Sequence, residues 1–245
     1  MSSEIKTAIV TGASKGIGAA IARQLAADGF QTVVNYASSS GEAEDVVAGI
    51  EAAVGRAIAV RADVTDASAV TALFDRAEAE FGKVDVLVNN AGISKFSPLA
   101  QVSDEDFQQQ IAVNLTGTFN GMREGAKRVR DGGRIINLST SIIGHYSSGN
   151  GVYAATKAAV EAMTHTLAKE LGTRGVTVNA VAPGPIATEL LFKGRSDELI
   201  RRLISDIPLG RLGLPEEIAQ IVSFLASAES GWINGQIIRA NGGRN

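Results

Sequence analysis

The feature that most constrains this chain is an alternation that runs its whole length: short β-branched apolar runs, each followed by a longer alanine-rich stretch with helical spacing. Seven runs read as strands, at residues 7–11, 32–36, 57–61, 84–88, 134–138, 176–181 and 236–239. Helices are predicted between them at 16–28, 41–54, 67–81, 104–130, 152–172 and 215–227. Most strand runs are continuously apolar, as they are when helices cover both faces of a parallel sheet. The series predicts an α/β fold, a doubly wound parallel sheet of about seven strands, in one domain over residues 1–245. Asp66, Ser103 and Asp104 offer helix N-caps, and Pro215 followed by Glu216 and Glu217 suits a helical first turn. One stretch, 183–208, is irregular around Gly184, Pro185 and Gly194. It reads as a substrate lid at about 184–208.

Charge and residue usage exclude several function classes. With 23 basic against 26 acidic residues and no dense Lys/Arg cluster, neither a nucleic-acid nor a membrane surface is expected. The absence of cysteine removes disulfides, zinc–thiolate sites, iron–sulfur clusters and thiol nucleophiles together. His145 and His165 lie too far apart, one in a loop and one on a helix, to suggest a metal pair, so no metal is expected. Without a long apolar segment or an apolar leader after Met1, the expectation is a soluble cytoplasmic protein.

The first strand runs into Thr11-Gly12-Ala13-Ser14-Lys15-Gly16-Ile17-Gly18 at the start of a helix. Glycines in such a turn let backbone amides and a helix N-terminus face one spot, which is a cradle for a pyrophosphate. Gly12 allows the tight turn, Gly16 a close backbone approach to phosphate, and Gly18 close packing of helix on strand. The second strand ends in Tyr36-Ala37-Ser38-Ser39, where a carboxylate would otherwise meet the adenosine ribose of NAD. Ser38, Ser39 and the cation of Lys15 instead suit a 2′-phosphate, and the implied cofactor is NADP(H). Asp63 and Val64, after the third strand, fall near the adenine. Asn90, Ala91 and Gly92 follow the fourth strand, where the backbone must turn beside the cofactor.

Tyr153 and Lys157 stand at i and i+4, on one face of a helix that follows a strand ending in Ser139-Thr140-Ser141. An ammonium beside a phenol favours the phenolate, and the spacing therefore predicts a tyrosine tuned toward working pH for proton exchange. A hydroxyl from the preceding strand end can orient a carbonyl oxygen between itself and the phenol. Trp232 reads as a core or subunit-interface residue rather than a catalytic one.

Taken in order, the glycine-rich turn, Asn89-Asn90-Ala91-Gly92, Asn114, the Ser/Thr cluster, Tyr153-Ala154-Ala155-Thr156-Lys157 and Pro183-Gly184 resemble the short-chain dehydrogenase/reductase family. The likeness is strongest to its NADPH-dependent ketoreductases, including 3-oxoacyl-acyl-carrier-protein and trihydroxynaphthalene reductases. The resemblance implies a Rossmann-type sheet and a catalytic set of Asn114, a hydroxyl residue, Tyr153 and Lys157. In it Tyr153 exchanges the proton, Lys157 holds the nicotinamide ribose and Asn114 positions a relay water. It also implies that Pro183, Gly184, Ile186 and Thr188 line the cofactor. Homotetramers are usual in the family, with the 104–130 and 152–172 helices forming one interface and the last helix and strand another. Two family rules for the hydroxyl disagree here: thirteen residues before Tyr153 is Thr140, while Ser-x-x-Gly matches Ser141 with Gly144. Ser141 is the slightly favoured reading and Ser139 the outsider. The implied partner is a small carbonyl or alcohol substrate. A polyol, sugar or alcohol dehydrogenase and a non-catalytic NADP(H) sensor are the alternatives.

Overall fold

In the computed structural model, which describes residues 5–192 and 196–245, the apolar runs pair into one sheet of seven strands. These are β1 (Thr7–Val10), β2 (Gln31–Tyr36), β3 (Arg56–Arg61), β4 (Val84–Asn89), β5 (Arg134–Leu138), β6 (Thr177–Pro183) and β7 (Ile237–Ala240), in the order β3-β2-β1-β4-β5-β6-β7. Every neighbouring pair is parallel. The helices are α1 (Gly16–Ala27), α2 (Ser40–Ala52), α3 (Ala67–Phe81), α4 (Asp104–Gln110), α5 (Gly117–Arg128), α6 (Gly151–Glu170), α7 (Glu189–Phe192), α8 (Asp197–Ser205) and α9 (Pro215–Ala226).

Side chains alternate across a strand, so each strand feeds two cores. Ala8 and Val10 pack with Ile21 and Leu25 of α1 and with Val222 and Leu225 of α9. Ile9, between them, packs on the other face with Leu73 and Phe74 of α3, Met122 of α5 and Val160 of α6. Both faces are covered, which is why the strand runs carry so few polar residues. The sheet winds outward from β1 to β3 on one side and from β4 to β7 on the other. The reversal leaves a crevice beyond the carboxyl ends of β1 and β4, where a doubly wound sheet binds its ligand.

Apart from one helix, the predicted boundaries lie within two residues of those observed. Asp66 caps α3 by accepting from Ser68 N at 2.8 Å, and Ser103 caps α4 by accepting from Asp106 N at 3.1 Å. The exception is the single helix expected over 104–130. It is broken into α4 and α5 by a π-helical turn, Ile111–Thr116. Three glycines one turn apart let α5 lie directly against the sheet. A Cβ on Gly117 would stand 2.6 Å from Val64, on Gly121 2.0 Å from the Asn89 side chain, and on Gly125 2.8 Å from Leu87. The wider π turn re-phases the helix so that these glycines and Asn114 can both face inward.

The irregular stretch carries α7 and α8. Leu199, Ile200, Leu203 and Ile204 give α8 an apolar side, yet none of them is buried. Gly194, with Lys193 and Arg195 of the predicted lid, lies outside the described residues. Among the described residues no helix is long and apolar enough to cross a membrane.

Candidate functional site

The turn after β1 requires glycine at three places for two different reasons. Gly12 and Gly16 have φ of +60° and +57°, a region costly for residues with a Cβ. Gly18 is needed for space, since a Cβ there would lie 2.4 Å from both Asn90 Nδ2 and the Gly12 carbonyl. The turn is then tied to the β4 loop. Thr11 Oγ1 accepts from the amides of Asn90 and Ala91 at 2.9 and 3.1 Å, and Asn90 Nδ2 donates to the carbonyls of Thr11 and Gly12 at 2.8 and 3.0 Å. Lys15 is the N-cap of α1 and makes no side-chain cap, and the first turn holds no acid. Ser14 and Ile17 flank it, half-buried. The free helix N-terminus therefore faces the crevice with its amides uncovered, as an anion site requires.

A residue that the motif reading passed over holds this turn in place. Asn35, buried in β2, accepts from Gly12 N through its side chain at 3.2 Å and donates to the carbonyls of Val60 and Ala62 at 3.2 and 3.0 Å. A buried amide directly after the apolar Val33-Val34 pair was the available signal. At the end of β2, Tyr36 is half-buried opposite Arg61 of β3, Ala37 and Ser38 are exposed, and Ser39 is the uncapped N-cap of α2. Arg61 was also passed over. Its Nε donates to the Ala37 carbonyl at 3.1 Å, which brings a second cation to the serines. Lys15 Nζ stands 3.7 Å from Glu42 and 3.5 Å from Glu189, across the crevice mouth. The exposed Asp63 carboxylate accepts from Thr65 N and Oγ1, and Val64 is buried with its carbonyl taken by Asn120.

Lys157 is buried on α6 and donates to the Leu138 carbonyl at 2.6 Å. Burial lowers its pKa to about 8. Tyr153 is affected in the opposite sense. Burial raises its pKa above the ordinary phenol value, and a hydrogen bond with the Thr140 side chain partly offsets this. The predicted lowering by Lys157 is therefore not what this site displays: burial dominates, and the Thr140 side chain rather than the lysine opposes it. Thr140 Oγ1 accepts from Ile142 N at 3.3 Å, leaving its own proton for the phenol.

The three hydroxyls after β5 have separate surroundings. Ser139 donates to Glu161 Oε1 at 2.6 Å. Ser141 is buried, its amide donating to the Pro183 carbonyl at 2.9 Å. The Thr140 side chain lowers the pKa of Tyr153. The strand has ended at Leu138, so strict alternation no longer decides which of them faces the helix. Of the three, Thr140 is the one whose side chain lowers the proton affinity of the phenol.

Asn114, fully buried in the π turn, has both ends of its amide engaged. Its Oδ1 accepts from Ile93 N at 2.8 Å, and its Nδ2 donates to the Ile93 carbonyl at 2.8 Å and to Thr156 Oγ1 at 3.3 Å. Thr156 in turn donates to the Tyr153 carbonyl at 2.7 Å. The side chain thus locks the β4 loop to α6. A Cβ on Gly92 would stand 3.3 Å from Asn114 Oδ1 and 3.5 Å from Lys157 Nζ, so glycine keeps a lane open to the lysine.

Past β6, Gly184 N donates to the Ala240 carbonyl at 2.8 Å and Ile186 is buried in a bridge to Gly213. Thr188 closes on the glycine turn, its Cγ2 3.6 Å from where a Cβ of Gly16 would be. The glycine turn thus meets Asn90, Ala91 and Thr188, and Gly92 meets Asn114 and Lys157. Trp232 lies elsewhere. It is 100% exposed, which rules out the core reading.

These residues fit a phosphorylated dinucleotide: a glycine cradle at a helix N-terminus, no carboxylate at the end of β2, two cations beside it, and an open lane to a buried lysine. The comparisons agree. The family model described as enoyl-(acyl carrier protein) reductase matches residues 12–245. The chain is 46% identical to an Arabidopsis thaliana protein named NADPH-dependent aldehyde reductase 2, chloroplastic, over 97% of this chain and 93% of that one. It is 43% identical to the 3-oxoacyl-[acyl-carrier-protein] reductase FabG of Staphylococcus aureus, with 97% of both chains covered. A Burkholderia cenocepacia short-chain dehydrogenase solved in complex with NADP superposes with a TM-score of 0.92 at 38% identity, with 98% of both chains covered.

Proposed function

The chain belongs to the short-chain dehydrogenase/reductase family and is an NADP-dependent oxidoreductase, and from that premise we propose that it reduces a ketone or aldehyde with Tyr153 as proton donor. The observation that carries this reading is the placement of Tyr153 on α6 one turn before Lys157, which is buried and anchored at the Leu138 carbonyl. Burial raises the pKa of the phenol, which keeps its proton in place for donation. A phenol kept protonated suits donation to a carbonyl oxygen as that oxygen gains charge.

NADPH, when bound, supplies the hydride. The chain supplies everything else. The Thr11–Gly18 turn and the α1 N-terminus hold the pyrophosphate, and Ser38, Ser39, Lys15 and Arg61 meet the 2′-phosphate. Asp63 and Val64 flank the adenine. Asn90, Ala91, Gly92, Pro183, Gly184, Ile186 and Thr188 form the walls along the nicotinamide half. Thr140 orients the substrate oxygen and Tyr153 gives it the phenolic proton. Lys157 leaves the Leu138 carbonyl for the ribose hydroxyls. Asn114, through the carbonyl of the π turn, holds the relay water that reprotonates the phenol. The stretch 184–208, with the uncovered apolar side of α8, closes over the substrate within a single domain.

The substrate carbonyl is a 3-oxoacyl, cyclic or aromatic ketone, or an aldehyde. The α8 apolar side and the names of the relatives support that range. Exposed Trp232 and Phe224 near α9 and β7, with Phe107 and Phe119 on α4 and α5, support a homotetramer built through those two faces.

The test is NADPH oxidation over acetoacetyl thioesters, aromatic aldehydes, naphthol-type ketones, diketones and sugars. Turnover is expected with one of the first three classes. Tyr153→Phe is expected to lose roughly 10²-fold or more of it, with NADPH affinity unchanged in binding titrations. Tight NADPH binding without turnover of any carbonyl would favour a sensor, and turnover confined to alcohols with NADP would favour a dehydrogenase.

A further inference from the structure

Residues 241–245 reach back across the site and hold the segment that carries Thr140. Asn245 Nδ2 donates to the Ser141 carbonyl at 2.8 Å and to the Ile143 carbonyl at 3.4 Å, about a hundred residues earlier in the chain. Its own Oδ1 accepts from Asn241 Nδ2 at 2.6 Å, and Asn241 Oδ1 accepts from Gly243 N at 3.1 Å. The loop is shaped to receive it. Gly144 has a φ of +105°, and a Cβ there would stand 3.0 Å from Asn245 Nδ2. Arg244, largely buried, makes a second hold. Its Nη2 lies 3.3 Å from both His145 Nε2 and Asp206 Oδ2, joining the loop to the end of α8.

What this grip controls is the turn at Thr140. The Ile142 amide reaches Thr140 Oγ1, and the Ile143 amide reaches the Thr140 carbonyl at 3.4 Å. Ser141 is held at its amide by Pro183 and at its carbonyl by Asn245. The shape of this turn therefore sets where the Thr140 hydroxyl stands, and that side chain is one that bears on the Tyr153 phenol. Hydrogen bonds fixing a turn beside a reacting group act by restricting its geometry.

We propose that Asn245 is a positioning residue for the reaction: it clamps the Ser141–Ile143 turn so that the Thr140 hydroxyl stays on the Tyr153 phenol. The proposal rests on the reading of Thr140 and Tyr153 above. Asn245 touches neither substrate nor cofactor in this role. Its effect passes through the backbone.

The test compares Asn245→Ala and Asn245→Asp with wild type, using NADPH and the best carbonyl from the panel. For Asn245→Ala, kcat is expected to fall roughly three- to tenfold, the effect of loosening one hydrogen bond. NADPH affinity and melting temperature should not change. The midpoint of the alkaline fall in kcat should move to higher pH, because a weakened Thr140 contact no longer offsets the burial that raises the phenol. Lys157, one turn further along α6 from Tyr153, is unaltered in both variants. Asn245→Asp keeps the contact to Asn241 but sets an acceptor against the Ser141 carbonyl, and should lose more activity than alanine. A wild-type kcat and pH profile in Asn245→Ala would overturn the proposal, as would a loss equal at every pH that tracks a lowered melting temperature. If Tyr153→Phe or Thr140→Val turned over normally, the reading beneath it would fail instead.

Discussion

The Thr140 side chain lowers the proton affinity of the Tyr153 phenol against the burial that raises it, while its neighbour Ser141 is fixed through its backbone to Pro183 and Asn245. One residue of register thus separates the side chain that acts on the phenol from the backbone unit that anchors the loop.

Thr140→Val should lower kcat by roughly 10²-fold, the scale of losing a positioned donor at a reacting oxygen. Ser141→Ala should stay within about threefold of wild type, since its backbone contacts survive the substitution. Because the Thr140 contact lowers the phenol pKa, Thr140→Val should also shift the alkaline limb of any residual activity upward. Steady-state NADPH oxidation across pH measures all three. The reverse ranking of the two variants would return the role to Ser141.

Lys157 holds a charge where the fold disfavours it. Its folded pKa of about 8 lies below the usual lysine value of 10.5, so between those values the unfolded chain binds more protons and stability rises with pH. At neutral pH the buried ammonium costs on the order of 3 kcal/mol. Lys157→Met should therefore abolish turnover yet raise stability at pH 7 by about 1–3 kcal/mol, after allowing for the lost bond to Leu138. Urea melts of the two proteins should converge as pH approaches 10.

Arg61 and Lys15 differ in their surroundings. Lys15 is shared between two exposed carboxylates, whereas Arg61 is anchored at the Ala37 carbonyl beside the serines. Arg61→Ala should weaken binding of 2′,5′-ADP roughly tenfold while leaving ADP unchanged, the scale of one charge-assisted contact to phosphate. Calorimetric titration separates the two ligands. Equal loss for both would mean that Arg61 contacts the adenine and not the 2′-phosphate.

Trp232 is fully exposed ahead of β7, and Phe224 on α9 is 45% exposed. If Trp232 lies in a subunit interface as proposed, a charge there should weaken assembly. Trp232→Glu is expected to sediment as a smaller species than wild type at micromolar concentration with unchanged secondary structure. An unaltered sedimentation profile would separate this face from assembly.

Elements with a strong local signature are legible in the amino-acid order alone. The strand runs, the glycine turn and the i, i+4 pair of Tyr153 and Lys157 each depend on contacts within a few residues, and each lies where its local pattern predicts. The break at Ile111–Thr116 is not legible in this way. Nothing in its composition demands a π turn; it follows from three glycines of α5 seating on Val64, Asn89 and Leu87, residues far away in sequence. Asn35 and Arg61 are likewise hidden, since their value lies in which strand end stands beside them.

The amino-acid order by itself determined the doubly wound sheet, the dinucleotide cradle and the phenol at the centre of the Tyr153–Lys157 motif, because apolar period, glycine backbone freedom and helical spacing are properties of short segments. The tertiary structure decided how each hydroxyl after β5 is held and which way the phenol's proton affinity moves. Both answers depend on distant residues: where β5 stops against β6, how deeply α6 is buried, and how Asn245 grips a loop that folds about a hundred positions before it. Desolvation and long-range hydrogen bonds are set by what surrounds a residue, and no local pattern records that.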